Sequence, residues 1–226
     1  MDIKTISILI IAFLNIFLGI WVYKRNRENL ANINYALLCI SGGLWAIAIA
    51  FIYFADNNQL LHYAIKFTYF FAFFPPLFYL LFAYYYPYKL WSYSSKLLKI
   101  IIITPIVLEV LFVSDLLKIQ EAILINGILK QQVIFNDFLI FAIYFFGYII
   151  WGLVILFKKL NHDIGIYKIR VKYLVIATIT TFIIIGITSI ILPLLNNFDY
   201  DNLSPFFILI HFIVAGYLLF YKVKNN

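Results

Sequence analysis

Residues 6–23 read ISILIIAFLNIFLGIWVY, and Lys24, Arg25 and Arg27 follow directly. An apolar run of about this length is what a helix needs to cross the hydrocarbon core of a bilayer. The basic residues after it are typical of a stop-transfer signal, and the small-residue cleavage site of a removable signal peptide is missing. The stretch therefore predicts a permanent membrane-spanning helix at the N-terminus.

The composition of the whole chain predicts a lipid environment. Of 226 residues, 65% are hydrophobic and only 12% are charged. A soluble domain has about 45–50% apolar and about 25% charged residues, so this chain could not cover its apolar surface in water. The composition excludes a water-soluble globule and a disordered chain. The single cysteine, Cys39, excludes an internal disulfide and a cysteine-based metal cluster, and we expect no cofactor.

Seven apolar runs are long enough to cross a bilayer, and we number them one to seven. They cover approximately Ile6–Tyr23, Tyr35–Ala55, Leu60–Tyr86, Leu97–Leu117, Phe138–Phe157, Tyr173–Leu195 and Pro205–Tyr221. Because the loops between them are short, the sequence predicts a single all-α membrane domain over residues 1–226. Its expected form is a bundle of seven transmembrane helices.

Lysine and arginine fall mostly on one side of this bundle. Thirteen of the 17 follow runs one, three, five and seven, whereas only Lys4, Lys118 and Lys130 lie in the opposite loops. Since cytoplasmic loops carry an excess of basic residues, the N-terminus is predicted outside and the C-terminus in the cytoplasm. We expect a multi-pass protein of the plasma (inner) membrane. The net charge of +7 then reflects basic clusters facing anionic lipid, and no nucleic-acid partner is expected.

One loop has a pattern of its own, between runs four and five. Residues 121–135 read EAILINGILKQQVIF, in which Asn126-Gly127 lies between apolar, β-branched residues. This is a strong signal for a β-hairpin. We predict a small extracellular hairpin, either as a plain cap on the bundle or as a lid over an outward-facing site.

Three ionisable residues fall inside the predicted spans, namely Lys66 in run three, Glu109 in run four and His211 in run seven. Such residues are costly in lipid and are functional candidates by default. At 1.5 Å per residue, all three lie about 9–12 Å below the outer surface. His62 shares the face of Lys66, one helical turn away. We predict that Lys66 pairs with Glu109, and that His211 and His62 complete a polar, ligand-binding cluster.

Two interpretations of the cluster stay open. In the first, a salt bridge only fixes helix packing, or Lys66 extends outward to the interface. In the second, the cluster is the polar floor of a pocket that opens outward. Pro75 and Pro76 must bend run three near mid-membrane, and such a bend frees carbonyl groups that a ligand could use.

The sequence carries none of the enzyme motifs that we tested. It contains no Gly-x-Ser-x-Gly elbow, no His-Glu-x-x-His zinc motif and no Walker loop. Three scattered histidines do not supply a di-iron or haem site, and the last run has no mid-helix lysine for a retinal Schiff base. We therefore expect no catalytic residue and no metal site.

An ordered set of short motifs resembles a known family, the N-terminal seven-transmembrane sensor region of histidine kinases and related prokaryotic signalling proteins. Run two carries Asn34-Tyr35-Ala36 and Leu44-Trp45-Ala46, and run three carries Phe74-Pro75-Pro76 and ends at Tyr86-Pro87. Run six begins near Arg170–Leu174 and reaches Ile191-Leu192-Pro193, and run seven carries Ala215-Gly216-Tyr217 and ends at Tyr221-Lys222. The resemblance covers nearly the whole chain.

The resemblance implies a receptor in two-component signal transduction, which senses a small-molecule or peptide signal and passes it through the seventh helix. In that family the phospho-accepting histidine and the ATP-binding domain belong to a cytoplasmic module after this helix, so we expect no enzymatic activity from residues 1–226 themselves. A homodimer is the expected assembly. The alternative function is a small transporter with an outward-facing polar site, because three-plus-one-plus-three helix arrangements exist.

The charge asymmetry generates a first prediction. Single cysteines at positions 27, 96 and 168 should be labelled only from the cytoplasmic side, and a cysteine at position 126 only from outside. The reason is the exclusion of basic loops from translocation. Impermeant thiol reagents applied to intact cells measure this, and labelling of position 168 from outside would refute the orientation.

Overall fold

The computed structural model describes residues 3–89, 93–125, 128–162, 165–195 and 203–220. Its helices and strands, in chain order, are α1 (Ile3–Arg25), α2 (Leu30–Phe54), α3 (Asn58–Ala72), α4 (Phe74–Tyr85), α5 (Ser95–Val113), β1 (Gln120–Ile125), β2 (Ile128–Val133), α6 (Phe135–His162), α7 (Ile166–Gly186), a π-helical turn (Ile187–Ile191), α8 (Leu192–Leu194) and α9 (Ser204–Phe220). Asn29, Asn57 and Ser94 cap the first turns of α2, α3 and α5 with their side-chain oxygens.

Five helical segments among the described residues are long and apolar enough to cross a membrane. They are α1, α2, α3 with α4, α6, and α7 with the π turn and α8. The all-α membrane fold is confirmed to this extent. Helix α5 carries Lys96, Lys99 and Glu109, and α9 has only 17 residues. The count of seven crossings and the orientation therefore stay predictions.

The predicted hairpin between runs four and five is confirmed as a two-stranded antiparallel sheet. Gln120 pairs with Val133, and Ile125 pairs with Ile128. The turn residues 126–127 lie outside the described residues. The hairpin packs on the bundle through β1, which contacts α3, and the Asn58 side chain accepts a 2.6 Å hydrogen bond from the Leu124 amide. Its extracellular location stays a prediction.

Helices α1 and α2 pack with their backbones nearly in contact. A Cβ added at Gly43 of α2 would lie 2.8 Å from the Ala12 carbonyl, and one added at Gly19 of α1 would lie 2.8 Å from the Ala36 carbonyl. Because the obstructing atoms are backbone, neither position has room for a side chain. Small residues are what allow such close approach between helices in lipid.

Run three is interrupted at Phe73, directly before Pro75 and Pro76. The two prolines have no N–H to donate to the carbonyls of residues 71 and 72. At the break, the carbonyl of Phe73 accepts a 2.5 Å hydrogen bond from the hydroxyl of Tyr144 on α6. The Tyr144 hydroxyl thus joins α6 to the break, at the carbonyl next to the two that the prolines leave without their usual donors.

The same arrangement recurs at the proline of α5. Pro105 lies inside this helix, so the carbonyl of Ile101, four residues earlier, lacks its usual donor. The hydroxyl of Tyr148 on α6 donates to that carbonyl at 2.9 Å. Both hydroxyls belong to residues four apart on α6 and therefore project from one face.

Lys159 provides the third case, and it corrects a prediction. The pattern of basic residues predicts Lys159 in a cytoplasmic loop after run five. Helix α6 instead continues to His162, and Lys159 is fully buried within it. Its ammonium group donates to three carbonyls at the end of α4, those of Ala83 (2.8 Å), Tyr84 (2.9 Å) and Tyr86 (2.5 Å). The last carbonyls of a helix have no intrahelical partner, and a cation suits that end of the helix dipole.

Tyr144, Tyr148 and Lys159 together form the donor stripe of α6, and it generates a second prediction. Lys159→Met should lower the free energy of unfolding by about 2–4 kcal/mol, because charged hydrogen bonds are lost and buried carbonyls are left unpaired. The neighbouring Lys158 is exposed, so Lys158→Met should change it by less than about 0.5 kcal/mol. Thermal unfolding of both variants in detergent measures the difference, and equal shifts would contradict the capping role.

Candidate functional site

The predicted ion pair between Lys66 and Glu109 is wrong. The ammonium group of Lys66 lies 2.8 Å from Oδ2 of Asp115 and donates to the carbonyl of Val113 at 3.3 Å. Helix α5 ends at Val113, so Asp115 lies beyond its end, and the side chains of Lys66 and Asp115 are 23% and 46% exposed. The four-carbon stem of lysine is long enough to extend there from a position inside the helix, so Lys66 has no need of Glu109.

Asp115 accepts a hydrogen bond from Lys66 and lies near two other side chains, His62 and Lys118. Lys66 bonds to it, and His62 and Lys118 add favourable electrostatic interactions. The hydrogen bond from Lys66 lowers the pKa of Asp115 from its ordinary 3.8. Since the folded-state pKa is the lower one, the pair stabilises the fold at neutral pH, and this contribution is lost as the pH falls below about 4.

Glu109 lies apart from this group. It is buried on α5, and within the described part of the chain neither carboxylate oxygen has a hydrogen-bond partner. His62, for its part, is exposed and has its ring against Tyr63. The structure therefore does not bring Lys66, Glu109 and His62 to one pocket, and their role in ligand binding stays a prediction.

A partly open pocket lies beneath the hairpin instead, between α2, α3, α6 and α7, and we call it the hairpin pocket. Its lining residues are Trp45, Ile49, Ile52, Tyr53, Thr68, Tyr69, Ala72, Gln120, Gln131, Phe138, Phe141, Phe145, Ile185, Ser189, Ile190 and Pro193. Its volume is about 80 Å³, several times the roughly 10–15 Å³ that one water molecule requires. Apolar walls with a few convergent polar groups are typical of small-molecule sites.

Two of the polar groups of this pocket come from the inner face of the hairpin. Along β1 the side chains alternate between half-buried and exposed, which places Gln120 on the inner face. Ala122 pairs with Gln131, so Gln131 shares that face from β2. The Tyr69 hydroxyl on α3 donates to Oε1 of Gln120 at 2.8 Å and thereby joins the hairpin to the bundle.

The π-helical turn forms the opposite wall of the hairpin pocket. Ser189 and Ile190 from this turn line the pocket, next to Ile185 at the end of α7. The turn is held to α9 by hydroxyl groups, because Ser204 bonds to Thr188 at 3.0 Å and also to Ser189. Single π turns within α-helices frequently occur at functional sites.

A second, smaller space lies deeper in the bundle, beside the prolines of α4, and we call it the core cavity. Its volume is about 40 Å³. His211 of α9 lines it together with Pro75, Pro76 and Tyr79. His211 is 4% exposed and Tyr79 2%. Among the described residues, neither the imidazole nitrogens of His211 nor the Tyr79 hydroxyl reach hydrogen-bonding geometry with a partner.

Phe145 and Ile185 line both spaces and so form the partition between them. The hairpin pocket has no described lining residue on α9, whereas Ile208, His211 and Phe212 of α9 line the core cavity. A change of shape in the hairpin pocket can therefore reach α9 through two side chains. Sequence reasoning missed this pocket, although the alternation along the hairpin could have placed Gln120 and Gln131 on one face.

The helices, the hairpin and the partitioned interior define a polytopic membrane protein with a partly open pocket beneath the hairpin. The chain belongs to the family of N-terminal 7TM regions of histidine kinases, whose family model matches residues 7–223. The family describes the sensor region of these kinases rather than their catalytic part, as the motifs in the sequence had indicated. No curated protein matches the sequence.

The positions of the charges generate a third prediction, which double-mutant cycles can measure. Lys66→Met and Asp115→Asn should show a non-zero coupling energy in thermal unfolding, because the two side chains form an ion pair. Lys66→Met and Glu109→Gln should be additive within about 0.5 kcal/mol, as expected for residues that share no contact. Glu109→Gln alone should not destabilise the bundle, because the carboxylate that it replaces has no described hydrogen-bond partner. Coupling between Lys66 and Glu109 would restore the original pairing.

Proposed function

We propose that this chain senses an outside or membrane-borne signal that binds in the hairpin pocket, and that α9 passes the response to a cytoplasmic output. The observation that carries the proposal is the shared partition, because Phe145 and Ile185 separate the pocket from a cavity that α9 lines. A ligand that prefers one position of these side chains shifts the balance between two packings of the bundle.

The two residues of the partition differ in how firmly their helices are held, so we expect only one of the helices to move. Phe145 belongs to α6, whose donor stripe binds carbonyls of α4, α5 and the α3–α4 break. Ile185 belongs to α7, directly before the π turn. A π turn is a local irregularity that can shorten to regular α-helix. We infer that α6 is the fixed side and that α7, the π turn and α9 move together.

The membrane orientation in this proposal follows from the basic residues of the loops. The hairpin and Asp115 lie outside, and α9 ends at the cytoplasmic face of the plasma (inner) membrane. In this arrangement α5 and α9 supply the two crossings beyond the five apolar segments. The N-terminal position of the family within histidine kinases supports an output module after α9.

A transporter is the competing function, and the interrupted helices are the feature to compare. Transporters built from two repeats place their broken helices at corresponding positions of the repeats. Here the breaks fall in runs three and six. In a three-plus-one-plus-three arrangement the counterpart of run three is run seven, so the breaks do not correspond. This favours a sensor.

A tethered ligand substitute tests the proposal. In a Cys39→Ala, Thr68→Cys protein, benzyl methanethiosulfonate places a benzyl group in the hairpin pocket. We expect the amide exchange of residues 203–220 to change by about fivefold or more, a typical size for coupling between sites. Hydrogen exchange with mass spectrometry measures this in proteoliposomes. Adding Phe145→Ala should weaken the response of α9, because half of the partition is removed, but not the response of the hairpin.

The matched control carries the cysteine at position 67, where the native Phe67 is exposed on the same helix. Labelling there should leave α9 exchange unchanged, and an equal change from both positions would contradict the proposal. A charged, impermeant reagent should modify the cysteine at position 68 from the outer side only. Modification at this position from both sides of the membrane would favour the transporter.

A further inference from the structure

We propose that the hairpin pocket binds a small neutral molecule with an apolar ring or short chain and a carboxamide-like group that both donates and accepts hydrogen bonds. This inference rests on the proposed function, since it names the class of ligand for the same site. Four features of the pocket carry it, namely the paired amides, their free hydrogen-bonding capacity, the aromatic wall and the missing charge.

The first feature is the pair of side-chain amides on the hairpin. Gln120 and Gln131 come from different strands, and the register places them diagonally across the inner face, where both reach the same pocket. Diagonal neighbours on one face of a sheet are close enough for long side chains to act on one ligand. A glutamine that only decorates a hairpin would belong on the exposed face, as Gln132 does.

The second feature is the hydrogen-bonding capacity that these amides retain. Oε1 of Gln120 accepts a hydrogen bond from the Tyr69 hydroxyl, and the amide nitrogen of Gln120 is left to donate to a ligand. The side chain of Gln131 makes no hydrogen bond with the described residues, so it offers both a carbonyl acceptor and an NH₂ donor. A ligand group that accepts from the Gln120 nitrogen and donates to the Gln131 carbonyl uses both amides in full, and a carboxamide, a lactam or a urea can do this.

The third feature is the wall below the amides. Trp45 of α2 faces the pocket together with Phe138, Phe141 and Phe145 of α6. Aromatic rings bury large apolar area and favour edge-to-face contacts with another ring. The volume of about 80 Å³ limits the enclosed part of a ligand to a single ring or a short chain.

The fourth feature is the lack of charge among the described lining residues. Lys66 is already paired with Asp115, and Glu109 lies on α5, which contributes no described residue to the pocket. A charged ligand would have to leave water without gaining an opposite charge, at a cost of several kcal/mol. The pocket therefore selects neutral molecules over ionised ones of the same shape.

Three bromobenzene derivatives of the same shape test this class, because bromine quenches tryptophan fluorescence on contact and Trp45 lines the pocket. They are 3-bromobenzamide (neutral), 3-bromobenzoate (anionic) and 3-bromobenzylamine (cationic at neutral pH). Titrated into the full chain in nanodiscs, the benzamide should quench saturably, and each charged congener should bind at least about tenfold more weakly. The Trp45→Phe variant corrects for quenching of the other three tryptophans by compound dissolved in lipid.

Substitution of the amides provides the second measurement. Gln131→Met keeps the length of the side chain and should weaken benzamide binding by about fivefold to tenfold, the range for one or two lost neutral hydrogen bonds. Gln132→Met, on the exposed face of the same strand, is the matched control and should leave binding unchanged. An equal effect from both variants would overturn the role of Gln131.

The outcomes separate this inference from the function on which it rests. If a charged congener binds as tightly as the benzamide, the ligand class is wrong while the pocket still stands as a site. Should none of the three compounds quench Trp45 saturably, the ligand class is overturned. The tethered benzyl experiment would then decide separately whether the hairpin pocket communicates with α9.

Discussion

The constraint on which this structure depends is that a backbone carbonyl inside a bilayer has no water to bind. Prolines and helix ends create such carbonyls in runs three and four, and α6 donates to several carbonyls at these irregular points. The Tyr144 hydroxyl donates at the break before Pro75, and the Tyr148 hydroxyl donates to the carbonyl that lacks its usual donor because of Pro105. The Lys159 ammonium group donates at the end of α4. These three residues lie on one face of α6, so their hydrogen bonds hold that face against the irregular parts of the neighbouring helices. The position of α6 is thereby fixed, and with it one wall of the hairpin pocket.

The opposite wall is held by fewer and different contacts. Helix α9 is tied to α2 by the hydrogen bond from the Tyr35 hydroxyl to the Phe212 carbonyl, and to the π turn by the hydroxyl of Ser204. Hydroxyl groups rotate and exchange partners without leaving a buried charge, whereas moving Lys159 would strand an ammonium group. In the proposed function, the side with the buried ammonium group stays fixed and the side held by hydroxyl groups repacks when a ligand shifts one part of the bundle relative to another.

Much of this arrangement could be predicted from the sequence, and each failure has its own physical cause. Hydropathy located the apolar runs, and Asn126-Gly127 indicated the hairpin. Depth along the membrane placed Lys66 beside Glu109, but depth does not determine the direction in which a side chain points. The flexible stem of Lys66 reached Asp115 instead, and Lys159 was judged a loop residue because the end of α6 was set too early. The hairpin pocket could not be predicted because its residues come from α2, α3, the hairpin, α6 and the π turn. Their alignment depends on helix rotations that no local pattern encodes.

The core cavity adds an energetic argument for two packings of the bundle. A buried polar group without a partner costs about 1–3 kcal/mol, and both His211 and the Tyr79 hydroxyl are in this position among the described residues. Ala177 and Thr178 of α7 are near them, yet hydrogen-bonding geometry is not reached. A small shift of α7 or α9 that completed these bonds would recover part of that cost. Ile185 lines both the core cavity and the hairpin pocket, so a displacement of α7 at this residue would alter both spaces together.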